Sequence, residues 1–321
     1  MVEKLDLSSF LLGFANQPIL YCPNPGNAGD ALIAHATYQI FDQLGLRYTV
    51  IDSNVPIELT TGQVVIYGGG GNLVEPYANA KDFIKKHHKM AARLVILPHT
   101  ILSYPNLLDE FGSNVDIFCR ELESYQYVTK HHGQASFYLS DDVALSMNVE
   151  LTLNQGESRF LPSISSSRMA KRNLKRILRV LHHTLKNVKH RKTLYAFRDD
   201  VEKTNIEIPD ANIDISQVFC GDGISEYQAH ETTYRVLKFI DKFNVVYTNR
   251  LHVGISALLL GKQVYFYDNS YGKNSFVYEN SLKKRFKKLL WKADSLALLL
   301  VLSWLHNKLV VYFGDDLFFL I

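Results

Sequence analysis

The sequence is short of several features that would place it quickly. Cysteine is scarce: Cys22, Cys119 and Cys220 are odd in number and far apart. This excludes a disulfide framework and the paired spacing of a zinc site, and it predicts a protein of the reducing cytoplasm. The N-terminal MVEKLDLSSFLLGF lacks the basic start and apolar middle of a signal peptide. A bilayer-spanning helix needs ~20 apolar residues, and the strongly apolar SLALLLVLSWL at Ser295–Leu305 offers eleven. The glycine run in IYGGGGNLVEP (Ile66–Pro76) lacks the Gly-Lys-Ser/Thr ending of a phosphate-binding Walker loop. Nor does its spacing fit the dinucleotide fingerprint. No aromatic platform or binding motif accompanies the basic stretches, so nothing in the chain predicts nucleic-acid readout.

What is present is an ordinary globular composition, 321 residues with 47% hydrophobic and 21% charged, of a length suited to two domains. The net charge of +3 hides an uneven distribution, because ten Lys/Arg and no acid fall between Arg168 and Lys192, leaving the remainder net −7. In that segment Leu174, Ile177, Leu178, Leu181, Leu185 and Val188 form one helical stripe. It reads as a solvated surface helix, with contact to an acidic membrane surface or nucleic acid as the alternative. A second basic cluster, LKKRFKKLLWK, runs from Leu282 to Lys292. The apolar segment after it reads as a packed helix or one lying on a membrane. The closing VVYFGDDLFFLI carries no assigned role.

Short β-type runs (QPILYC, RYTVID, QVVIYGG, RLVILPH, VDIFCR and SFYLSDD) alternate with helical patterns at Asp30–Leu44, Tyr77–Ala92 and Glu121–His132. The second half repeats this with TLYAFR, NVVYTN and QVYFYD and a helix over Ser225–Phe243. Such alternation predicts an α/β fold with parallel sheets covered by helices. The expected architecture is two α/β domains with a cleft between them. The expected boundaries are 1–155 for the first domain, 156–192 for a linker and basic helix, 193–290 for the second, and 291–321 for an apolar tail.

Several stretches could carry chemistry. In CPNPGNAGDALIAHA a strand ends in a turn, and Asn27, Gly29 and Asp30 face the carboxyl end of the sheet, where open α/β folds bind ligands. Asp30 could equally be a helix N-cap. Gly69, Gly70 and Gly71, followed by Asn72, would let backbone amides approach a ligand with no Cβ in the way. Glu75 extends that loop toward an acceptor. His99 in LPHT and Arg120 in CRELESY emerge after successive strands, although Arg120 could simply pair with Glu121 or Glu123. Asp141 and Asp142 could do acid–base work or cap a helix, and capping is favoured. In YTNRLHVGISALLLGK, Arg250 offers a fork for phosphate or carboxylate, and His252 can move a proton near neutral pH. The helix beginning near Leu251 adds free amides. Three anion-binding features meet there.

Taken in order, NPGNAGDALI, YGGGGNL, LPHT, CRELESY, LSDDVAL, FRDDVE, TNRLHVGISALLLGK and DNSYGKNSFVYE resemble the polysaccharide pyruvyl transferase family, over roughly residues 20–280. The nearest likeness is to its bacterial exopolysaccharide branch. The resemblance implies a GT-B-like fold, two Rossmann-like domains facing each other across a cleft. It also implies phosphoenolpyruvate as donor and a cyclic pyruvate ketal as product. The family's donor-binding Arg-Leu-His element falls on Arg250, Leu251 and His252. Its R-D/E-x-x-S stretch falls on Arg120, Glu121 and Ser124.

On this combined reading His252 transfers the proton, and Asp30 or His99 orients or deprotonates the acceptor. Arg250, Leu251, Arg120, Gly69, Gly70, Gly71 and Asn72 hold the donor, and Asn27, Gly29 and Glu75 hold the acceptor. No metal and no cofactor are expected. The partners are phosphoenolpyruvate and a saccharide acceptor, lipid-linked or free, with peripheral contact to an acidic membrane as a further expectation. Two alternatives stay open: a glycosyltransferase of similar shape using a nucleotide sugar, with Glu202 as its ribose carboxylate, or a non-catalytic family member.

Overall fold

The computed structural model describes residues 2–75, 77–156, 192–204, 206–221 and 223–292. The basic segment expected to form a helix before Lys192 and the apolar tail lie outside these residues. Among the described residues the chain forms an α/β fold with two parallel sheets. In the first, strands β1 (Ile19–Cys22), β2 (Tyr48–Val50), β3 (Val64–Tyr67), β5 (Arg93–Ile101), β6 (Val115–Cys119) and β7 (Ser136–Leu139) lie in the order β2-β1-β3-β5-β6-β7. A short β4 (Gly70–Leu73) pairs with the far end of β5. In the second, β8 (Thr193–Ala196), β9 (Val245–Thr248), β10 (Gln263–Tyr267) and β11 (Leu289–Lys292) lie in the order β11-β10-β9-β8.

The strands form because their residues are apolar, β-branched or aromatic on both faces, as a sheet covered by helices requires. Val65, Ile66, Leu94, Val95, Ile96, Ile117 and Phe118 are all buried. The helix Ala28–Gln43 packs by a run of small residues, Ala28, Gly29, Ala31, Ala34 and Ala36. It lies against the helix Glu226–Ile240 that follows β8. One continuous core therefore runs through Leu32 and Ile33, Leu237 and Ile240, and Val253 and Phe266, joining elements of both sheets.

The helices fall where expected but are shorter: Asn79–His87, Leu122–Val128 and Glu226–Ile240. Two elements differ from expectation. The glycine run, read as a loop, enters the sheet as β4, its Gly70 opposite His99. The second basic cluster, for which no strand was expected, ends in β11, with Leu289 buried at the sheet edge. A boundary between residues 290 and 291 would cut that strand. Among the described residues no helix is long and apolar enough to cross a membrane.

The topology sets the site. The chain leaves β1 toward β2 on one side and returns to β3 on the other. The carboxyl ends of β1 and β3 thus flank the crevice where open sheets leave room for ligands.

Candidate active site

A pocket of about 410 Å³ opens at this crevice. One wall comes from the first sheet: Pro25–Asn27, Gly29 and Asp30 after β1, Gly71 and Asn72 in β4, and Arg120 after β6. The opposite wall comes from the second: Arg198, Asp200 and Glu202 after β8, Arg250–His252 after β9, and Lys273 after β10.

Asn27, not Asp30, caps the helix. Its side chain accepts from the Gly29 amide at 2.7 Å, and Asp30 in the first turn accepts from the Asn27 amide at 2.8 Å. This reciprocal capping box fixes Asp30 on the pocket wall. Burial raises the Asp30 carboxyl above the usual carboxylate range, with His252 opposing.

His252 stands in the first turn of the helix Leu251–Leu259. Its Nε2 lies 3.3 Å from Oδ2 of Asp142, while Nδ1 lies beside Gly29, where a Cβ would come within 2.7 Å of it. Asp142 caps the 3₁₀ turn Val143–Ser146 as expected, accepting from the Ala144 amide at 3.0 Å. It does more than cap. The same carboxylate accepts from Nη1 of Arg120 at 2.9 Å. Burial alone would raise its pKa, but His252 and Arg120 hold it well below the usual carboxylate range.

Arg120 is only 1% exposed. It also donates through Nε to Thr100 at 2.9 Å and lies 3.6 Å from Glu121. Burial pushes the Glu121 carboxyl up to about 7 despite Arg120 and the Ser124 and Thr100 hydroxyls. The serine of the R-E-x-x-S motif ties this carboxyl to the neighbouring strand, because Ser124 donates to Glu121 and accepts from the Ile101 amide at 2.7 Å. What remains of Arg120 faces Gly71, whose absent Cβ would fall 2.5 Å from Nη2.

On the second wall Arg250 donates from Nε to Asp214 at 3.0 Å and from Nη2 to both Asp214 and Asp200. Arg198 grips Asp200 through Nε and Nη2 at 2.7 and 3.1 Å and also meets Glu202. Lys273 donates to Glu202 at 3.0 Å, and the Tyr77 hydroxyl reaches the other Glu202 oxygen at 2.7 Å. Burial draws the Lys273 ammonium down to about 8, partly offset by Glu202.

The pocket therefore brings together Asn27, Gly29, Asp30, Gly71, Asn72, Arg120, Arg250, Leu251 and His252 from the expected set. Four expected residues lie elsewhere. β5 continues two residues past the expected strand end, so His99 sits inside the sheet, fully buried, with Nε2 2.8 Å from Oδ1 of Asn72. Burial and then Arg120 draw its imidazole down to about 3, which keeps it neutral as a support behind Asn72. Gly69 and Gly70 are packed against protein, where a Cβ would meet the Pro98 carbonyl at 2.8 Å and the Asn24 amide nitrogen at 2.3 Å. Glu75 is exposed beyond the pocket. Conversely, no role is expected from sequence for Arg198, Asp200 or Lys273, although Arg198 closes the strand-like run TLYAFR and Lys273 follows QVYFYD by five residues. Among the described residues no group of three or more His, Cys, Asp or Glu is placed to hold a metal ion.

Comparison with known proteins places the chain among relatives. The chain is 26% identical over 283 residues to the "Putative pyruvyl transferase EpsO" of Bacillus subtilis (strain 168), covering 80% of this chain and 83% of that protein. A crystal structure of a functionally uncharacterized protein, KP1_0663 of Klebsiella pneumoniae subsp. pneumoniae NTUH-K2044, superposes with a TM-score of 0.69. It is 29% identical, and the match covers 89% of this chain and 96% of that one. The family profile described as polysaccharide pyruvyl transferase matches residues 27–271, a span that begins at the Asn27 cap and ends two residues short of Lys273. With three-quarters of its length inside that match, the chain belongs to the polysaccharide pyruvyl transferase family.

Proposed function

We infer that the protein transfers the pyruvyl group of phosphoenolpyruvate to two hydroxyls of one sugar, forming a cyclic ketal on an exopolysaccharide or its lipid-linked precursor. The observation that carries this reading is the convergence of Arg120, Arg198, Arg250 and Lys273 on one pocket that also holds His252 and Asp30. A donor bearing a phosphate and a carboxylate needs two oxyanion sites close together, and guanidinium forks with an ammonium suit both. The family's name and that of the Bacillus relative support pyruvyl transfer to a saccharide. We read the two sheets as two Rossmann-like domains of a GT-B-like pair, with the pocket as their cleft and the acceptor on the side of Asn27 and Gly29.

In this reading His252 delivers a proton to the methylene carbon of the enol, and C2 gains positive character. One sugar hydroxyl adds at C2, phosphate leaves with the electron pair of its C–O bond, and the second hydroxyl closes the ring. Of the two hydroxyl protons released, one balances the proton taken by the methylene and the other leaves on phosphate. Asp30, its carboxyl raised by burial, receives a proton from the acceptor. The nucleotide-sugar alternative is weakened by Glu202, which is already engaged by Arg198, Lys273 and Tyr77 and is not open to a ribose.

The deciding experiment is phosphate release from phosphoenolpyruvate with a panel of β-galactosides, glucosides and mannosides. Acceptor-dependent release that Arg250→Ala abolishes is expected. No release with any acceptor, together with thermal protection by a nucleoside diphosphate, would establish the glycosyltransferase instead.

Two further results follow from the pocket's two walls. An ammonium is charged below its pKa, so the hold of Lys273 on the donor is present below about pH 8 and fades as the pH rises through it. The ratio kcat/KM for phosphoenolpyruvate, which reports the free enzyme, should fall on that limb, and Lys273→Arg should flatten it. Gly71→Ala places a methyl against the end of Arg120 and 3.3 Å from Cδ of Lys273. Displacing the ends of both cations is expected to lower turnover by up to about 10²-fold, with a smaller loss of melting temperature than Arg120→Met. An unaltered kcat/KM would make the glycine a strand residue with no part in placing the cations.

A further inference from the structure

The two carboxylates that meet Arg250 are not equivalent. Asp214 is 4% exposed, lies behind the arginine, and takes both Nε and Nη2. It also accepts from the Asp199 amide at 3.3 Å. This is a fixed brace. Asp200 is 27% exposed and forms part of the pocket wall. Its Oδ1 takes Nε of Arg198 at 2.7 Å, and its Oδ2 takes Nη2 of Arg198 at 3.1 Å and Nη2 of Arg250 at 2.8 Å. Apart from these it is held by the Glu202 amide at 3.1 Å. A carboxylate bridging two guanidiniums at the surface of an anion-lined pocket occupies the geometry in which those forks would grip a compact external oxyanion. Burial would raise its pKa, but Arg198 and Arg250 draw it down to about 2. At neutral pH it cannot vacate the place by taking a proton, only by moving.

We propose that Asp200 is an internal stand-in for the donor: its carboxylate occupies an oxyanion seat between Arg198 and Arg250 and swings toward solvent when an external phosphate or carboxylate takes that seat. The proposal rests on the pyruvyl-transfer reading for the identity of the donor alone; the seat itself requires a compact oxyanion of either kind. The seat lowers apparent affinity by the fraction of time it is filled from within. It also gives each guanidinium a second carboxylate when no donor is present, beside Asp214 on Arg250 and Glu202 on Arg198. The Asp200 side chain is already partly exposed at the pocket wall, so solvent is within its reach.

The test is equilibrium binding of inorganic phosphate and of phosphoenolpyruvate, each to the full chain, with wild type, Asp200→Asn, Asp200→Ala and Asp214→Asn. Both Asp200 variants are expected to bind each anion roughly tenfold more tightly, because the internal competitor is gone. Asp214→Asn is expected to bind roughly tenfold more weakly, because Arg250 loses its brace. The opposite signs of two acid-to-amide changes on one arginine exclude a generic charge effect. Where a variant melts early, the upward shift of its melting temperature on adding phosphate reads the same affinity. Equal or weaker binding by both Asp200 variants would overturn the proposal and make Asp200 a second brace. Wild type that binds phosphate but not phosphoenolpyruvate would overturn the donor assignment, and the phosphate series would still decide the seat. Wild type that binds neither anion would overturn both.

Discussion

His252→Ala is expected to lower acceptor-dependent phosphate release by ~10²–10⁴-fold, the range that a placed acid or base supplies. The side chain lies between Asp142, 3.3 Å from Nε2, and the pocket-lining Gly29 on the side of Nδ1. A fully buried carboxylate behind an imidazole fixes the orientation of its ring toward the pocket, as directed proton delivery to a carbon requires. Asp142→Asn should therefore reproduce part of the kcat loss with a smaller change in KM, while a substitution at His99 should act on Asn72 and not on the proton step. The measurement is single-turnover phosphate release at saturating donor. If His252→Ala retained more than about a tenth of the wild-type rate, its contribution would fall below the acid–base range, and Asp30 would become the principal proton-transfer group.

The largest effect on stability belongs to Arg120. Arg120, Asp142 and Glu121 are 1%, 1% and 0% exposed, so the guanidinium is the cation that answers two carboxylates inside the protein. Removing one partner of such a cluster destabilises by about 3–5 kcal/mol, because a charge is left buried without its counterpart. Arg120→Met keeps the volume and should show this loss in thermal or urea unfolding. The loss has a pH dependence whose sign is fixed. Glu121 has a folded pKa of about 7, above its unfolded value. Between those values the folded state holds the extra proton, so this group's contribution is present at acid pH and is lost as the pH rises through about 7. Without Arg120 that penalty deepens, and the deficit should be greater at pH 8 than at pH 6. A deficit independent of pH would place the cost in packing and not in the orphaned carboxylates.

Much of the first sheet is readable from sequence, because a buried parallel strand must be apolar on both faces. RLVILPH and VDIFCR have few other places to go. β4 is not readable in this way. The glycines at its start look like a loop, yet a Cβ on Gly69 just before it would meet the Pro98 carbonyl, and one on Gly70 the side-chain amide of Asn24. β11 is masked by lysines that flank a single buried Leu289 at a sheet edge. In the site, Arg250, His252 and Asp30 are legible because each follows a strand and opens a helix. The position of His99 turns on β5 running two residues longer than its apolar pattern, a matter decided by pairing with Gly70 and Cys119. Lys273 and Arg198 owe their roles to Glu202, which stands 71 positions from the lysine. No local pattern encodes a contact of that span.

The prior pairing of the pocket's arginines and lysine has a kinetic consequence. Arg120, Arg198, Arg250 and Lys273 are each answered by a carboxylate before any ligand arrives. Such a pocket projects little net field into solvent, and the electrostatic steering that accelerates diffusional encounter is weak. The pocket itself does not draw small anions from a distance, and ionic strength has little say in how often one enters it. Discrimination falls instead on the moment of contact, when an arriving oxyanion must exchange places with a group already at home.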